Sequence, residues 1–301
     1  MISVLIPVLD GAHILPTTIP AIRALEGVDE ILWIDDGSTD ETPRLLARAA
    51  NEDPRVRIVT LPVNQGRSAA RNAGVDASSG EVLVFLDADV EPAADSARRL
   101  AHAASLPGAV AAVARIEPVA TDPSEPYQDY AVHARRGPDP DTPAERALDW
   151  RYFLAGASAV LRRPLVEAGR FPEDIPYGED QALACELSVA HPGGLQLAPT
   201  SVRLHDIGDL DRAIRNARAY GRTLSALHGR CAALSPRFLG PVVALGWLAA
   251  PMTSTLRTVI AKISPHPFRR RLIRYLLASH AIHAASHASP PASCHGSGDR
   301  L

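Results

Sequence analysis

Asp87-Ala88-Asp89 follows the apolar run Glu81–Leu86. In an extended segment residues i and i+2 point the same way, so both carboxylates face one cation. Mg2+ and Mn2+ take oxygen ligands and bridge protein carboxylates to phosphate oxygens. An ion held there neutralises charge on a departing diphosphate. The bland reading of the same residues is a solvated acid pair in a loop. A second acidic pair, Asp35-Asp36, leaves the run Glu30–Ile34 and enters Gly37-Ser38-Thr39-Asp40. Acids at the exit of a buried strand are costly to desolvate unless they meet a ligand or water. A carboxylate in this place accepts a hydrogen bond from the imide NH of a uracil or the amino group of a guanine. A plain turn with helix-capping residues accounts for the same letters. Between the two pairs lies Asn64-Gln65-Gly66-Arg67-Ser68-Ala69-Ala70-Arg71-Asn72-Ala73-Gly74. It sets Arg71 and Asn72 in the first turns of a helix. Arg71 there either holds a nucleotide or buttresses Asp36 through a bidentate contact; the alternative is a surface helix with an ordinary ion pair.

These residues need a scaffold that brings them to one edge. Short apolar runs alternate with helix-like stretches: strands over Ile2–Val8, Glu30–Ile34, Val56–Thr60 and Glu81–Leu86, helices over Ala12–Leu25, Asp40–Ala50 and Ser68–Asp76. Asp40 or Thr39 is a natural N-cap for the second helix. Such alternation predicts an α/β domain with a doubly wound, mostly parallel sheet. Ligands collect at the carboxyl ends of its strands. Ala109–Ile116 is a further strand. Glu117–Asp149, rich in Pro and charge with little periodicity, reads as a long surface excursion. Regular structure resumes at Tyr152–Leu161, with helices expected over Asp180–Ala190 and Ala213–His228.

The chain has 301 residues, 46% of them hydrophobic, and a net charge of -3. That is enough for one sizeable core, and it disfavours nucleic acid as a partner. Lys262 is the only lysine, so arginine carries nearly all the positive charge; base-composition bias explains most of that. Cys185, Cys231 and Cys294 lie far apart and do not read as a disulfide framework, which favours a reducing compartment. Met1–Pro7 opens directly on a strand-like run without the features of a secretion signal, so a cytoplasmic location is expected. Phe238–Leu256 carries no charge but is interrupted by Pro241 and Pro251. Phe268–Tyr275 then mixes arginines with apolar residues. The segment 238–275 reads as a peripheral membrane contact at the inner face of the cell membrane, or else as a buried helical hairpin or a dimer contact. From about Ser286 the composition predicts disorder.

Four elements in order resemble the family 2 glycosyltransferases with the GT-A fold. They are Val4-Leu5-Ile6-Pro7, Asp35-Asp36-Gly37-Ser38, Gly66 with Ala70-Arg71-Asn72-Ala73-Gly74, and Phe85-Leu86-Asp87-Ala88-Asp89. The resemblance is strong over residues 1–115 and thinner to about 225. It implies a GT-A fold with a C-terminal acceptor lobe and a helical tail. Residues 1–115 form the nucleotide-sugar half and 116–230 the acceptor and catalytic-base half of one domain; a hydrophobic and basic tail covers 231–285, and 286–301 is disordered. It further implies an inverting transferase that uses Mg2+ or Mn2+ to move one sugar from a nucleotide-diphosphate sugar to a hydroxyl acceptor. UDP is favoured by family frequency. On this resemblance Pro7, Asp36, Arg71, Asp87 and Ala88 contact the nucleotide, and Asp87, Asp89 and His205 surround the metal. Gly156, Ala157 and Glu179 border the acceptor. Asp180, in Gly178-Glu179-Asp180, is the general base, with Glu179 orienting it or the acceptor. Both acids also suit a helix N-terminus, where the dipole favours negative charge.

The chain departs from the family in two places. The polar pair common after the first Pro is replaced by Val8-Leu9-Asp10-Gly11-Ala12, with Asp10 able to take over part of its role. The Gln-X-X-Arg-Trp motif of processive synthases is absent, with Arg218-Ala219-Tyr220-Gly221-Arg222 in the comparable region, which points to single-sugar addition. The competing functions are a retaining GT-A transferase and a non-catalytic module that binds sugar nucleotides or a partner. A dinucleotide oxidoreductase is disfavoured because no Gly-X-Gly-X-X-Gly follows the first strand.

Overall fold

The computed structural model describes residues 1–134, 138, 141–230, 260 and 267–286. The first half alternates strand and helix as the sequence predicts. In order they are β1 (Ile2–Val8), α1 (Leu15–Arg23), β2 (Glu30–Asp35), α2 (Thr42–Glu52), β3 (Val56–Thr60), α3 (Arg67–Ala77) and β4 (Val82–Leu86). There follow β5 (Val90–Pro92), α4 (Ser96–Ala104), β6 (Ala111–Pro118), α5 (Pro126–His133), β7 (Ala147–Leu148), β8 (Ala157–Leu161) and α6 (Arg162–Glu167). The last elements are α7 (Glu179–Ala190), β9 (Leu195–Leu204), α8 (Leu210–Arg230) and α9 (Pro267–Ser286).

Among the described residues the strands form one sheet in the order β3-β2-β1-β4-β8-β6-β9-β5, with β7 paired to β9. β3, β2, β1 and β4 are mutually parallel. β8 runs antiparallel between β4 and β6, and β6 pairs parallel with β9. The two halves of the chain therefore share one sheet.

Two apolar layers sandwich it, and the period-2 alternation of the central strands feeds both. Val4, Ile6, Ile31, Trp33, Val84 and Leu86 face the layer that takes Leu15, Ile22, Leu46 and Leu100 from α1, α2 and α4. Leu5, Leu32, Ile34, Leu83 and Phe85 face the other, with Ala70, Val75, Leu165, Leu183 and Leu187 from α3, α6 and α7. With both faces covered, the carboxyl-end loops of β1, β2 and β4 are left to present polar groups.

Several expectations are corrected. Asp87-Ala88-Asp89 is a tight turn rather than an extended segment: Val90 N donates to Asp87 O at 3.0 Å, and the chain turns into β5. The excursion 117–149 contains α5. It begins with Pro126, is capped by Glu125, whose carboxylate accepts from Gln128 N at 2.7 Å, and is too short to show a helical period. Its Asp129 is buried and accepts from Arg269 at 2.9 Å and Arg270 at 2.8 Å. Those two arginines of α9 thus face the protein, while Arg271 and Arg274 of the same cluster are exposed. No described helix is long and apolar enough to cross a membrane. The apolar run Phe238–Leu256 lies outside the described residues, as does 287–301. Cys185 is disulfide-bonded, contrary to the reading of the cysteines; Cys231 and Cys294 lie outside the described residues. For α2 the first helical residue is Thr42 rather than Asp40, although Asp40 Oδ1 does accept from Thr42 N at 2.9 Å.

Candidate active site

Val8 and Asp35 end β1 and β2 side by side, with Pro7 beside Ile34, and the backbone ladder continues through Asp36 N to Val8 O at 2.9 Å. Asp36, 4% exposed, does not meet Arg71. Its Oδ1 accepts from Gln65 N at 2.8 Å and its Oδ2 from Gly66 N at 2.9 Å. A carboxylate satisfied by two amides pins the loop that leads into α3. On the β1 side Asp10, at a left-handed φ of 47°, accepts from Thr39 N at 2.8 Å. The turns after β1, β2 and β3 thus interlock through side chain-to-backbone bonds.

α3 then carries Arg71 into the centre of the site. Its side chain is 2% exposed. Nη2 donates to Asp87 Oδ1 at 2.9 Å and Nη1 to Glu179 Oε1 at 2.8 Å, and the guanidinium lies 5.3 Å over the Phe171 ring. Burial works against its charge, but Asp87 and Glu179 outweigh it and raise its pKa. Its carboxylate partners are thus Asp87 and Glu179 rather than Asp36. It is a buried bridge between the acidic turn after β4 and the acidic start of α7.

On the β4 side, Gly156 O accepts from Asp87 N at 3.0 Å. A Cβ at Gly156 would collide with the Asp87 carboxylate. Ala157 follows as the first residue of β8, fully buried and in register with Leu86. The small residues here therefore make room for Asp87. Ala88 O accepts from Thr18 Oγ1 at 2.9 Å, which ties the turn to α1. Asp89 has its pKa raised to about 7, first by burial and then by the charge of Asp87. Two carboxylates that resist joint ionisation are a donor set that a divalent cation relieves, and oxygen donors suit Mg2+ or Mn2+. His205 is brought beside them, its backbone N donating to Asp89 O at 2.8 Å. Its ring turns elsewhere, with Nε2 2.6 Å from Glu91 Oε2. Among the described residues no three His, Cys, Asp or Glu side chains are grouped to hold a metal; Asp87 and Asp89 leave the remaining positions to phosphate oxygens and water.

On the α7 side, Glu179 is 4% exposed and taken by Arg71. Asp180 is not paired with it. Its Oδ1 accepts from Gln181 N at 2.8 Å, and its pKa is raised to about 6, mainly by burial and then by the charge of Glu179. Gly178, at a left-handed φ of 82°, supplies the N-cap backbone that starts α7 here.

Some residues at this edge carry no motif. Asp206, at a left-handed φ of 46°, accepts from Arg212 Nη1 at 2.7 Å and lies 3.2 Å from His13 Nε2. Its charge contributes to raising the Asp89 pKa. Tyr220 lies close enough to Asp180 for the carboxylate to raise its own pKa, after burial. The only hint in the sequence was that Asp206 directly follows His205.

Residues 3–169 match the profile of the family described as Glycosyl transferase family 2, more than half of the 301 residues. The chain belongs to glycosyl transferase family 2. Among curated relatives, the succinoglycan biosynthesis protein ExoO of Rhizobium meliloti (strain 1021) is 30% identical over 223 residues, 71% of this chain and 63% of that protein. The undecaprenyl-phosphate 4-deoxy-4-formamido-L-arabinose transferase of Yersinia pestis bv. Antiqua (strain Angola) is 35% identical over 108 residues, 34% of this chain and 33% of that one. The chain thus spans less than two thirds of the length of these relatives. Of solved structures, S. aureus TarS 1-349 in complex with UDP matches with a TM-score of 0.57 at 15% identity, covering 94% of this chain and 88% of that one. The mannosyltransferase PcManGT from Pyrobaculum calidifontis, in complex with GDP-Man and Mn2+, matches at 0.53 and 20% identity over 92% and 85%. The fold is that of the GT-A glycosyltransferases.

Two outcomes follow for this site. Gly156→Ala must push Asp87 off Arg71; the variant is expected to fold but to bind nucleotide with Mn2+ roughly tenfold or more weakly, a loss of about 1.4 kcal/mol, read by calorimetric titration. Asp180→Asn should change stability in a pH-dependent way. Below pH 3.8 the acid is protonated in both states. Between 3.8 and about 6 the unfolded chain releases the proton and the folded chain keeps it, so wild-type stability falls as pH rises and the penalty is complete above about 6. Asn carries no such penalty. Urea unfolding should show the variant gaining on wild type through this window, by up to about 3 kcal/mol, and no relative gain at lower pH.

Proposed function

We propose that the chain moves one sugar from a nucleoside-diphosphate sugar to a hydroxyl acceptor, with inversion, assisted by a divalent metal. The observation that carries this reading is the Arg71 bridge: one guanidinium fixes Asp87, on the turn with Asp89, against Glu179, the neighbour of Asp180. Groups suited to a leaving diphosphate and a group suited to an attacking hydroxyl are thereby held in one rigid frame.

Asp87 and Asp89 are the residues that would hold Mg2+ or Mn2+, with His205 beside them. Such an ion, when bound, neutralises the charge that builds on the departing diphosphate. The ends of β1 and β2, with Pro7, Asp36 and the loop that Asp36 pins, frame the nucleotide; Ala88 lines the ribose side. Asp180 takes the proton from the acceptor hydroxyl as it attacks the anomeric carbon from the face opposite the nucleotide. A base at about 6 is ionised near neutral pH yet holds a proton more strongly than an ordinary carboxylate. Glu179, bound to Arg71, orients Asp180 at the edge of the acceptor pocket, which Gly156 borders and Ala157, buried in β8, backs. A single displacement with a single base gives inversion.

Comparison supports the donor class: TarS is described with UDP and with UDP-GlcNAc, PcManGT with GDP-Man and Mn2+, and GalNAc-T7 with UDP, GalNAc and Mn2+. UDP is our choice of nucleotide. The name of the undecaprenyl-phosphate relative fits an acceptor at a membrane surface and a cytoplasmic, peripheral location, with 238–275 as the contact and exposed Arg271 and Arg274 at its described end.

Calorimetric titration of UDP, GDP and dTDP, each with and without Mn2+, tests the reading. Metal-dependent binding of one nucleotide is expected, lost in Asp89→Ala. Asp180→Asn should bind that nucleotide as wild type does while sugar transfer and donor hydrolysis fall roughly a hundredfold or more. Absence of binding by all three nucleotides would turn the assignment to a non-catalytic partner-binding module.

A further inference from the structure

The turn that presents Asp180 is gripped by a helix far along the chain. A Cβ at Gly178 would lie 2.8 Å from Leu227 Cδ1 and 3.0 Å from Tyr220 Cε2, both on α8. Thr223 Oγ1 of the same helix donates to Tyr177 O at 2.8 Å. Ile175, Ala182, Leu227 and Tyr220 make one apolar cluster around the start of α7. Arg67 of α3 stacks 5.3 Å over the Tyr177 ring, so the turn is also held from the donor half. α8 in turn is fixed by α9. At Gly221 the two helices approach so closely that a Cβ would collide with the Ala281 carbonyl, and Arg269 and Arg270 anchor α9 to Asp129 of α5.

We propose that Tyr220 is a positioning residue for Asp180: its ring occupies the space beside Gly178, holds the turn that aims the carboxylate, and shelters it from water. This rests on Asp180 being the base. The groups that face Asp180 are Glu179 on its own helix, Arg71 of α3, Asp87 beyond β4 and Tyr220 of α8. Tyr220 brings apolar bulk to this turn together with Leu227 and Ile175, and burial is the largest cause of the raised Asp180 pKa. Removing the ring opens a cavity at the turn. Water that enters stabilises the ionised carboxylate and lowers its pKa, which weakens it as a base and frees the turn to move. Through this contact the α8–α9 pair, remote from the reacting atoms, governs how the acceptor hydroxyl is deprotonated.

The test needs no acceptor. Unfolding in urea between pH 4 and pH 8 is measured for wild type, Asp180→Asn, Tyr220→Ala, Tyr220→Phe and the two double variants that combine Asp180→Asn with each Tyr220 change. The stability that Asp180→Asn gains above pH 6 should shrink by roughly half or more in the Tyr220→Ala background and stay unchanged with Tyr220→Phe, which keeps the ring. An equal gain in all three backgrounds overturns the proposal, as does a loss with Phe as large as that with Ala. If Tyr220→Ala does not fold, Tyr220→Leu takes its place in the same comparison. Release of UDP from UDP-N-acetylglucosamine with Mn2+ separates the role of Asp180 from that of Tyr220. Wild-type release by Asp180→Asn removes the base assignment itself. Loss of release in Asp180→Asn, with a pH gain untouched by Tyr220→Ala, removes only the role of Tyr220.

Discussion

A guanidinium sealed from water must find carboxylates, and Arg71 finds two. The cost of desolvating an ion is recovered only with close partners, and removing one partner of a buried pair typically costs about 3–5 kcal/mol. Arg71 therefore forces three segments to meet: α3, which carries it, the turn after β4 with Asp87, and the start of α7 with Glu179. Glu179 lies 108 residues from Arg71 in sequence. The Phe171 ring over the guanidinium and its edge-on contact with Phe85, at 5.1 Å between ring centres, keep the bridge dry from the sheet side.

The rest of the electrostatics follows from the imbalance that remains. Asp87, Glu179 and Asp180 act on one guanidinium, and Asp89 stands behind Asp87, with the charges of Asp87 and Asp206 against it. Arg71 settles Asp87 and Glu179, and Asp89 and Asp180 are left with pKa values near 7 and near 6. Each unsettled acid sits where the proposed chemistry has a use for it. Asp89 lies beside Asp87, where a cation and a diphosphate complete the charge balance. Asp180 lies where a proton must be accepted. The strain of keeping them half-buried is carried by glycines and turns: Gly156 gives Asp87 its space, Gly178 lets α7 start where it does, and Asp36 locks the loop into α3.

Much of this was legible in the sequence. β1, β2 and β4 are legible because strands buried on both faces are continuous apolar runs, and the edge strand Val56–Thr60 matches its predicted bounds. The acids at their ends stood out for the same reason, since a charge beside such a run demands an explanation. What the letters did not show is contact. One of the roles open to Arg71 is to buttress Asp36, its neighbour along the edge, but backbone amides of Gln65 and Gly66 satisfy that carboxylate. His205 arrived beside Asp89 through the backbone while its ring went to Glu91. α5 is too short to show a helical period, and its contacts with Arg269 and Arg270 of a distant helix leave no local pattern. Tyr220 was noted only as part of a substitute for a missing motif; its place beside the Asp180 turn depends on how α8 packs.

The claim that one buried cation couples the donor and base sides is tested most directly by Arg71→Met, with Arg71→Met/Glu179→Gln as a companion that leaves one fewer buried charge. Mn2+-dependent UDP binding and UDP release from UDP-N-acetylglucosamine are measured on the same samples, alongside thermal unfolding. Both functions should fall together in both variants, by roughly tenfold or more, while the double variant melts closer to wild type than the single one. A folded Arg71→Met chain that binds UDP and releases it at wild-type levels would contradict this coupling.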